Sequence, residues 1–270
     1  MKKIVIIGAG NLGFHLALKF GENELLKNNL FIFNLKENEI TQFLKNEKFN
    51  VNIGWEQFIP SADIYIITVK DSAIKEVSEN ILGKINSSSI IIHTSGSIES
   101  IVLEKFENFG VIYPLYSFSF SEKKINWSEI PVFIIGNNEF STQTILSLSQ
   151  NLNPKKIISI NDEQKLHLHL LAVMANNFIN GLSYAIYKLA NESNFYTELY
   201  SDLLNFAQKT IQRSQHNNPA IFQTGPAKRK DEVTIEKHLK LLEHYPEIQK
   251  LYKAFTEYIQ TSMIDESNKK

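Results

Sequence analysis

Apolar residues fall into two regimes along this chain. Up to about residue 160 they come as short, β-branched runs: Ile4-Val5-Ile6-Ile7, Leu30-Phe31-Ile32-Phe33, Ala62 to Val69, Ser89 to Ile92, Val111 to Pro114, Val132 to Gly136 and Lys156 to Ile160. Runs that are apolar at successive positions, not at alternate ones, predict strands buried on both faces, as in a parallel sheet. Between them the spacing becomes helical, from Phe14 to Phe20, through Ile74, Val77 and Ile81, and from about Phe140 to Leu152. Strand and helix in alternation predict an open, doubly wound α/β sheet, mostly parallel. Beyond Asn161 no strand-like run recurs. The expected division is residues 1–160 as the α/β domain, 161–264 as an all-α domain and 265–270 as a disordered tail.

One long helix, from about Asp162 to Asn191, dominates the second half. Leu168, Leu171, Ala175, Phe178, Leu182, Ala185 and Leu189 recur at spacings of three and four, an apolar stripe for a helix partner. At 100° per residue His169, Asn176, Asn180 and Tyr187 share a narrow opposite sector, with Asn177 on its shoulder. Leu170, Val173, Ile179 and Ile186 surround that sector, so its polar groups need partners, either each other or a cleft.

Composition narrows the function classes. At 270 residues the chain is long enough for two cores. With 28 basic against 29 acidic residues and a net charge of −1, it has no general basic field for nucleic acid or an anionic membrane. The absence of cysteine excludes disulfides, thiolate metal sites and a cysteine nucleophile, and fits a cytoplasmic location. Lys2 and Lys3 before an apolar run imitate a signal peptide, but Gly8 ends the run and no small-residue cleavage site follows. No stretch approaches the roughly 18 apolar residues of a membrane helix. His216, His238 and His244 lack metal-ligand spacing, so no metal is expected.

The candidate chemistry begins where the first strand-like run breaks into Gly8-Ala9-Gly10-Asn11-Leu12-Gly13, the spacing G-x-G-x-x-G. Such a strand-to-helix turn is a phosphate cradle: its glycines permit a tight turn, close approach of a pyrophosphate and close helix packing, while the helix N-terminus offers free N–H groups. About 20 residues further on, a dinucleotide site carries its ribose-reading residue. Here that is Asn34, followed by Lys36. Asn34 does not repel a 2′-phosphate as a carboxylate would, and Lys36 can pair with one, which leans towards NADP, with NAD possible. Val69-Lys70-Asp71-Ser72 and His93-Thr94-Ser95-Gly96-Ser97 end two further strands, and ligands of open α/β sheets bind outside such carboxyl ends. The turns at 8–13, 34–36, 69–72 and 93–97 should therefore line one crevice. Asp71 or Ser72 is expected to cap the following helix. Asn218 to Asp231, with its Asn-Pro and Gly-Pro steps, reads as a loop in which Arg229 can clamp an anion, followed by a helix capped by Asp231 or Thr234.

With those residues in hand, the chain resembles the Rossmann-like proteins that carry a C-terminal DUF2520 domain, relatives of the 6-phosphogluconate dehydrogenase, pyrroline-5-carboxylate reductase and F420-dependent NADP oxidoreductase type. The resemblance rests on Ile7 to Gly13, His93 to Ser97, Tyr113-Pro114-Leu115 before a Ser/Phe loop, His169 to Phe178, and Thr224 to Asp231. It implies an NADP-type Rossmann domain, a helical domain like the C-terminal domain of 6-phosphogluconate dehydrogenase that completes a homodimer, and an active site between the domains. Two departures stand out. Related hydroxyacid dehydrogenases place a catalytic lysine one helical turn before an asparagine, whereas Val173 and Ala172 stand four residues before Asn177 and Asn176. Tyr113-Pro114 replaces the usual His-Pro, which counts against an acid/base role there.

The resulting expectation is an NADP-dependent oxidoreductase moving hydride between nicotinamide and a small carbonyl or imine. His169 is its proton donor or acceptor, since imidazole titrates near neutrality, and Asn176, Asn177 and Ser95 complete the catalytic set. Gly8, Gly10, Asn11, Leu12, Gly13, Asn34, Lys36, Val69, Lys70, Thr94, Ser95 and Gly96 are the cofactor contacts. Ser97, Asn180, Thr224 and Arg229 are the substrate contacts. The rival reading is a sensor that binds NADP without turnover. A site for adenosylmethionine or FAD is weaker, because both favour an acidic residue where Asn34 stands.

Overall fold

A computed structural model describes residues 2–263 of the chain; the expected tail at 265–270 lies outside them. The chain forms two compact units, residues 1–176 and 177–270. The first therefore reaches past residue 160 and takes in the helix that begins at Asp162.

In the first unit β1 (Ile4–Ile7) leads into α1 (Asn11–Gly21) and the short α2 (Glu24–Lys27). β2 (Leu30–Asn34), α3 (Glu39–Asn46), β3 (Asn50–Ile53), β4 (Ile64–Ile67), α4 (Asp71–Ile81), β5 (Ile90–His93) and β6 (Asn108–Pro114) follow. β7 (Pro131–Gly136), α5 (Glu139–Gln150), β8 (Lys156–Ser159) and α6 (Asp162–Ala172) complete it. The sheet runs β3-β2-β1-β4-β5-β6-β7-β8. Every pair is parallel except β6 with β7. Strand order reverses at β1, so the crevice between the ends of β1 and β4 is the place for a ligand.

The continuous apolar runs have a direct cause. Ile4 and Ile6 of β1, Ile64 and Ile66 of β4, and Ile90 and Ile92 of β5 pack with Phe14, Leu16 and Phe20 of α1. Their neighbours Val5, Ile7, Tyr65, Ile67 and Ile91 pack with Ile74 and Ile81 of α4. Side chains alternate between the faces of a strand, so covering both faces with helices requires apolar residues at every position.

Several local expectations change. α3 and β3 carry no strong sequence signal: α3 is short, and Asn50-Val51-Asn52-Ile53 is a half-buried edge strand. α4 is not capped by Asp71 or Ser72; Lys70 is the N-cap residue, without a side-chain bond, and Asp71 opens the helix with its carboxylate turned to Ser97. The helix from Asp162 is not one regular α-helix. α6 passes through a π-helical segment, Val173–Phe178, before α7 (Ile179–Ala190). A π-turn closes hydrogen bonds one residue later than an α-turn, so the 100° spacing fails across it and the polar sector of His169, Asn176, Asn180 and Tyr187 loses its common line.

The second unit holds α7, α8 (Asn194–Ser214), α9 (Pro226–Arg229), α10 (Glu232–Leu241) and α11 (Pro246–Tyr258). Asp231 caps α10 through the Thr234 N–H, as its position suggests. Of the expected apolar stripe only Ala185 is buried, while Leu171, Phe178 and Leu182 are exposed.

Candidate active site

The end of β1 meets the steric demands of a phosphate cradle. Gly8 adopts φ +112°, and a Cβ there would lie 2.9 Å from Val69 Cγ1 and 3.0 Å from the Thr68 backbone. At Gly13 a Cβ would stand 2.2 Å from the Gly8 carbonyl oxygen and 2.7 Å from Thr68 Oγ1. Gly10 is different: a Cβ would meet only the Thr68 carbonyl oxygen, at 3.8 Å, so its outer side is open. Gly10 is also the N-cap of α1, with no side-chain cap and no acidic residue in the first turn. The uncapped N–H groups of that turn suit an anion.

The loop is held from beneath by residues assigned other roles, or none, from sequence. Asn34 accepts from the Ala9 N–H at 2.9 Å and donates to the Lys36 carbonyl at 2.6 Å, so its amide braces the loop. Asn38 Nδ2 donates to the Ala9 carbonyl at 3.1 Å, and Thr68 Oγ1 donates to the Gly8 carbonyl at 2.6 Å. Asn11 accepts from the Phe120 N–H at 3.1 Å, which fastens the Ser/Phe loop to the start of α1. Leu12 packs against the core. Val69 is half-buried, and Lys36 and Lys70 are exposed.

A second cluster forms where β5 and β6 end. His93 is wholly buried; its Nδ1 accepts from the Ser95 N–H at 3.2 Å, while Nε2 lacks a hydrogen-bond partner. Burial, helped by the nearby Lys165 ammonium, lowers the pKa of His93 to about 4, so the ring is neutral near pH 7. Thr94 Oγ1 donates to the Ile67 carbonyl at 3.3 Å. Ser95 Oγ is occupied within its own turn, accepting from the N–H groups of Ser97 and Ile98 at 3.1 and 3.0 Å. That turn uses the hydroxyl as an acceptor, so Ser95 shapes the loop. Ser97 Oγ donates to Asp71 Oδ2 at 2.5 Å.

Gly96 brings α6 to this loop. A Cβ on it would lie 2.5 Å from His169 Nδ1 and 2.9 Å from Tyr113 Cε2. Tyr113 Oη stands 3.1 Å from His169 Nδ1. One helical turn before His169 is Lys165, only 1% exposed, its ammonium bonded to the Ile98 carbonyl and 3.1 Å from Asp162 Oδ1. Asp162 in turn accepts from Ser100, its N–H at 2.9 Å and its hydroxyl at 2.6 Å. Burial pulls the Lys165 pKa below the ordinary lysine range against the opposing pull of Asp162. For Asp162 burial acts upward, yet the bonds from Ser100 and Lys165 outweigh it and its pKa falls.

Sequence reasoning missed Lys165 because a lysine was sought one turn before Asn176 and Asn177. The available signal was the Lys165-x-x-x-His169 spacing, which places both side chains on one helix face. Asn176 ends the first unit, exposed within the π-helical segment. Asn177, Asn180, Thr224 and Arg229 belong to the second unit and are exposed there. That unit also forms an open groove of about 760 Å³ among α7, α8, α10 and α11, in which His238 Nδ1 meets Tyr252 Oη at 2.8 Å. Among the described residues no three His, Asp or Glu side chains form a metal-sized group.

Comparison with known proteins agrees with this geometry. Residues 3–96, which contain the glycine loop and end at Gly96, match the family described as NADP oxidoreductase, coenzyme F420-dependent, and residues 130–259 match DUF2520, a domain of unknown function. The chain thus joins an N-terminal region of the NADP oxidoreductase type to a C-terminal DUF2520 domain. The DUF2520 match begins within the sheet, ahead of β7, and so includes α6 with Lys165 and His169. Among solved structures, a Bacteroides fragilis protein provisionally named an NADP oxidoreductase is 28% identical, with a TM-score of 0.83 over 96% of this chain and 98% of that one. A Thermotoga maritima protein (21% identity, TM-score 0.63, 98% and 100% covered) shares the fold. So does a Plasmodium falciparum pyrroline carboxylate reductase with NADP bound (16%, 0.55, 99% and 98%). A Staphylococcus saprophyticus glycerol-3-phosphate dehydrogenase [NAD(P)+] is 30% identical over 110 residues, 37% of this chain, and the match spans about a third (33%) of that enzyme. No helix among the described residues is long and apolar enough to cross a membrane.

Proposed function

We propose that this protein is an NADP-dependent oxidoreductase acting on a small carbonyl or imine. The observation that carries the reading is the glycine loop, which is closed beneath Gly8 and Gly13 and open at Gly10 against an uncapped helix N-terminus. The backbone N–H groups of Asn11, Leu12 and Gly13 would hold the pyrophosphate, and Lys36 would pair with a 2′-phosphate. When bound, the nicotinamide supplies or accepts the hydride. His169, joined to Tyr113 and pressed on Gly96, acts at the substrate oxygen or nitrogen that gains or loses charge. Asn176 orients the substrate. The protein works as a cytoplasmic homodimer in this reading.

NADPH fluorescence titration of the purified chain tests the proposal, with NADH and FAD as comparisons. Saturable NADPH binding that is lost in Gly13→Ala is expected; no binding of any of the three would end the reading. A non-catalytic sensor is the second reading, favoured by one feature: Lys165 and His93 are sealed from solvent. NADPH oxidation assayed against keto acids, aldehydes and imines, with His169→Ala as control, separates the two. Binding without oxidation of any substrate supports the sensor.

A further inference from the structure

His169 is joined to a tyrosine that the sequence sets aside. Tyr113 is 9% exposed at the carboxyl end of β6, and its hydroxyl stands 3.1 Å from His169 Nδ1, with the two rings edge to face. Neither the Tyr113 hydroxyl nor the His169 ring has another hydrogen-bond partner among the described residues. Gly96 backs the pair so closely that a single added carbon would strike Nδ1, which fixes the ring edge that faces the protein. The direction of the proton in this bond decides what His169 offers a substrate. If the phenol donates, Nδ1 is the acceptor and the neutral ring carries its proton on Nε2; if Nδ1 donates, Nε2 is left with a lone pair and acts as a base.

We propose that Tyr113 is a positioning residue that donates to His169 Nδ1 and holds the neutral ring in its Nε2–H form. The ring then offers a hydrogen-bond donor to a substrate oxygen or nitrogen and is not poised as a base. Three observations bear on the direction. A phenol whose sole partner is an imidazole nitrogen forms its stronger bond as O–H···N, because the ring nitrogen is the better acceptor of the two. Burial raises the pKa of Tyr113, so it keeps its proton and stays a donor. The Lys165 ammonium one turn away on the same face is fastened to Ile98 and Asp162, so it does not compete for Nδ1. The inference rests on the functional reading above for its catalytic meaning, in which the Nε2–H group stabilises charge developing on a carbonyl or imine as hydride arrives at carbon. The phenol keeps its proton throughout, and the product oxygen or nitrogen takes its own from solvent.

The test needs neither cofactor nor turnover. In ligand-free protein labelled with ¹⁵N-histidine, at alkaline pH, two-bond ¹H–¹⁵N spectra report which ring nitrogen is protonated, with His169→Gln assigning the signals. A protonated Nε2 and a bare, hydrogen-bonded Nδ1 are expected. In Tyr113→Phe, which retains the ring and its packing, the Nδ1 resonance should shift towards that of an unbonded imidazole nitrogen. A protonated Nδ1 in the wild type, or an Nδ1 resonance unmoved in folded Tyr113→Phe, overturns the proposal. NADPH binding is scored separately, so failure of the functional reading leaves this result intact, and the reverse also holds. If turnover is found, Tyr113→Phe should lower kcat more than it raises KM, a split that loosened packing alone would not produce.

Discussion

Gly13 has no room for one more methyl group. A Cβ there would strike the Gly8 carbonyl oxygen, a backbone atom that can move only if the turn itself moves. Gly13→Ala should therefore cost about 1–3 kcal/mol, the usual penalty of overpacking, and reduce NADPH affinity at least about tenfold. Urea unfolding and fluorescence titration measure the two effects. His93 leads to a prediction about acid. Its folded pKa of about 4 lies below its ordinary value of 6.5, so between those values the unfolded chain binds more protons than the folded one. The stability that the neutral ring contributes is fully present above about pH 6.5 and is lost as pH falls towards about 4, amounting to about 3 kcal/mol at one pKa unit per 1.36 kcal/mol. Asp162, whose pKa is also lowered, loses its contribution only below the ordinary carboxylate range, so the two windows separate. His93→Gln should flatten the slope of urea stability between pH 6.5 and 4 relative to wild type; equal slopes would contradict a buried neutral ring. At this scale the glycines were legible, because their spacing is local. The bracing role of Asn34 was not, because it depends on where Ala9 comes to rest.

Among the elements, α6 matters most, since it carries Lys165 and His169 together. Its start is secured by a reciprocal capping box: Asn161 accepts from the Gln164 N–H at 2.8 Å, and Gln164 accepts from the Asn161 N–H at 3.0 Å. Asn161→Ala should cost about 1 kcal/mol and speed amide hydrogen exchange in the first turn of α6, with the exchange of α1 unchanged. Buried strands were readable from their continuous apolar runs, and β3 was not, because an edge strand covered on one side needs only alternate apolar residues. The π-helical segment at Val173–Phe178 was also hidden: no residue pattern separates a single π-turn from the α-helix around it, and packing selects between them.

At the scale of the molecule, the helical unit leaves much apolar surface open. Phe195, Leu199, Leu203 and Phe206 follow one face of α8 and are 66%, 39%, 44% and 71% exposed. A contiguous apolar face of that kind marks an association surface, in keeping with the proposed homodimer. Sedimentation velocity should give a dimer at micromolar concentration, and Phe206→Asp should shift it towards monomer. A wild-type chain that sediments as a monomer throughout would remove the dimer from the functional reading.

What the sequence determined alone was whatever neighbouring residues decide between themselves. Runs of isoleucine and valine specified strands covered on both faces, the three glycines specified a tight turn into a helix, and Asn161 and Gln164 specified where α6 begins. The tertiary structure decided everything that depends on residues distant in sequence. Ser100 meets Asp162 across 62 positions, Ile98 meets Lys165 across 67, and Tyr113 meets His169 across 56. Those contacts exist because parallel strands deliver their carboxyl ends to one edge of the sheet and α6 lies against that edge. Lys165 illustrates the difference: in sequence it is one lysine among many, and only the closure of α6 over the 96–100 loop buries its charge and makes it part of a site.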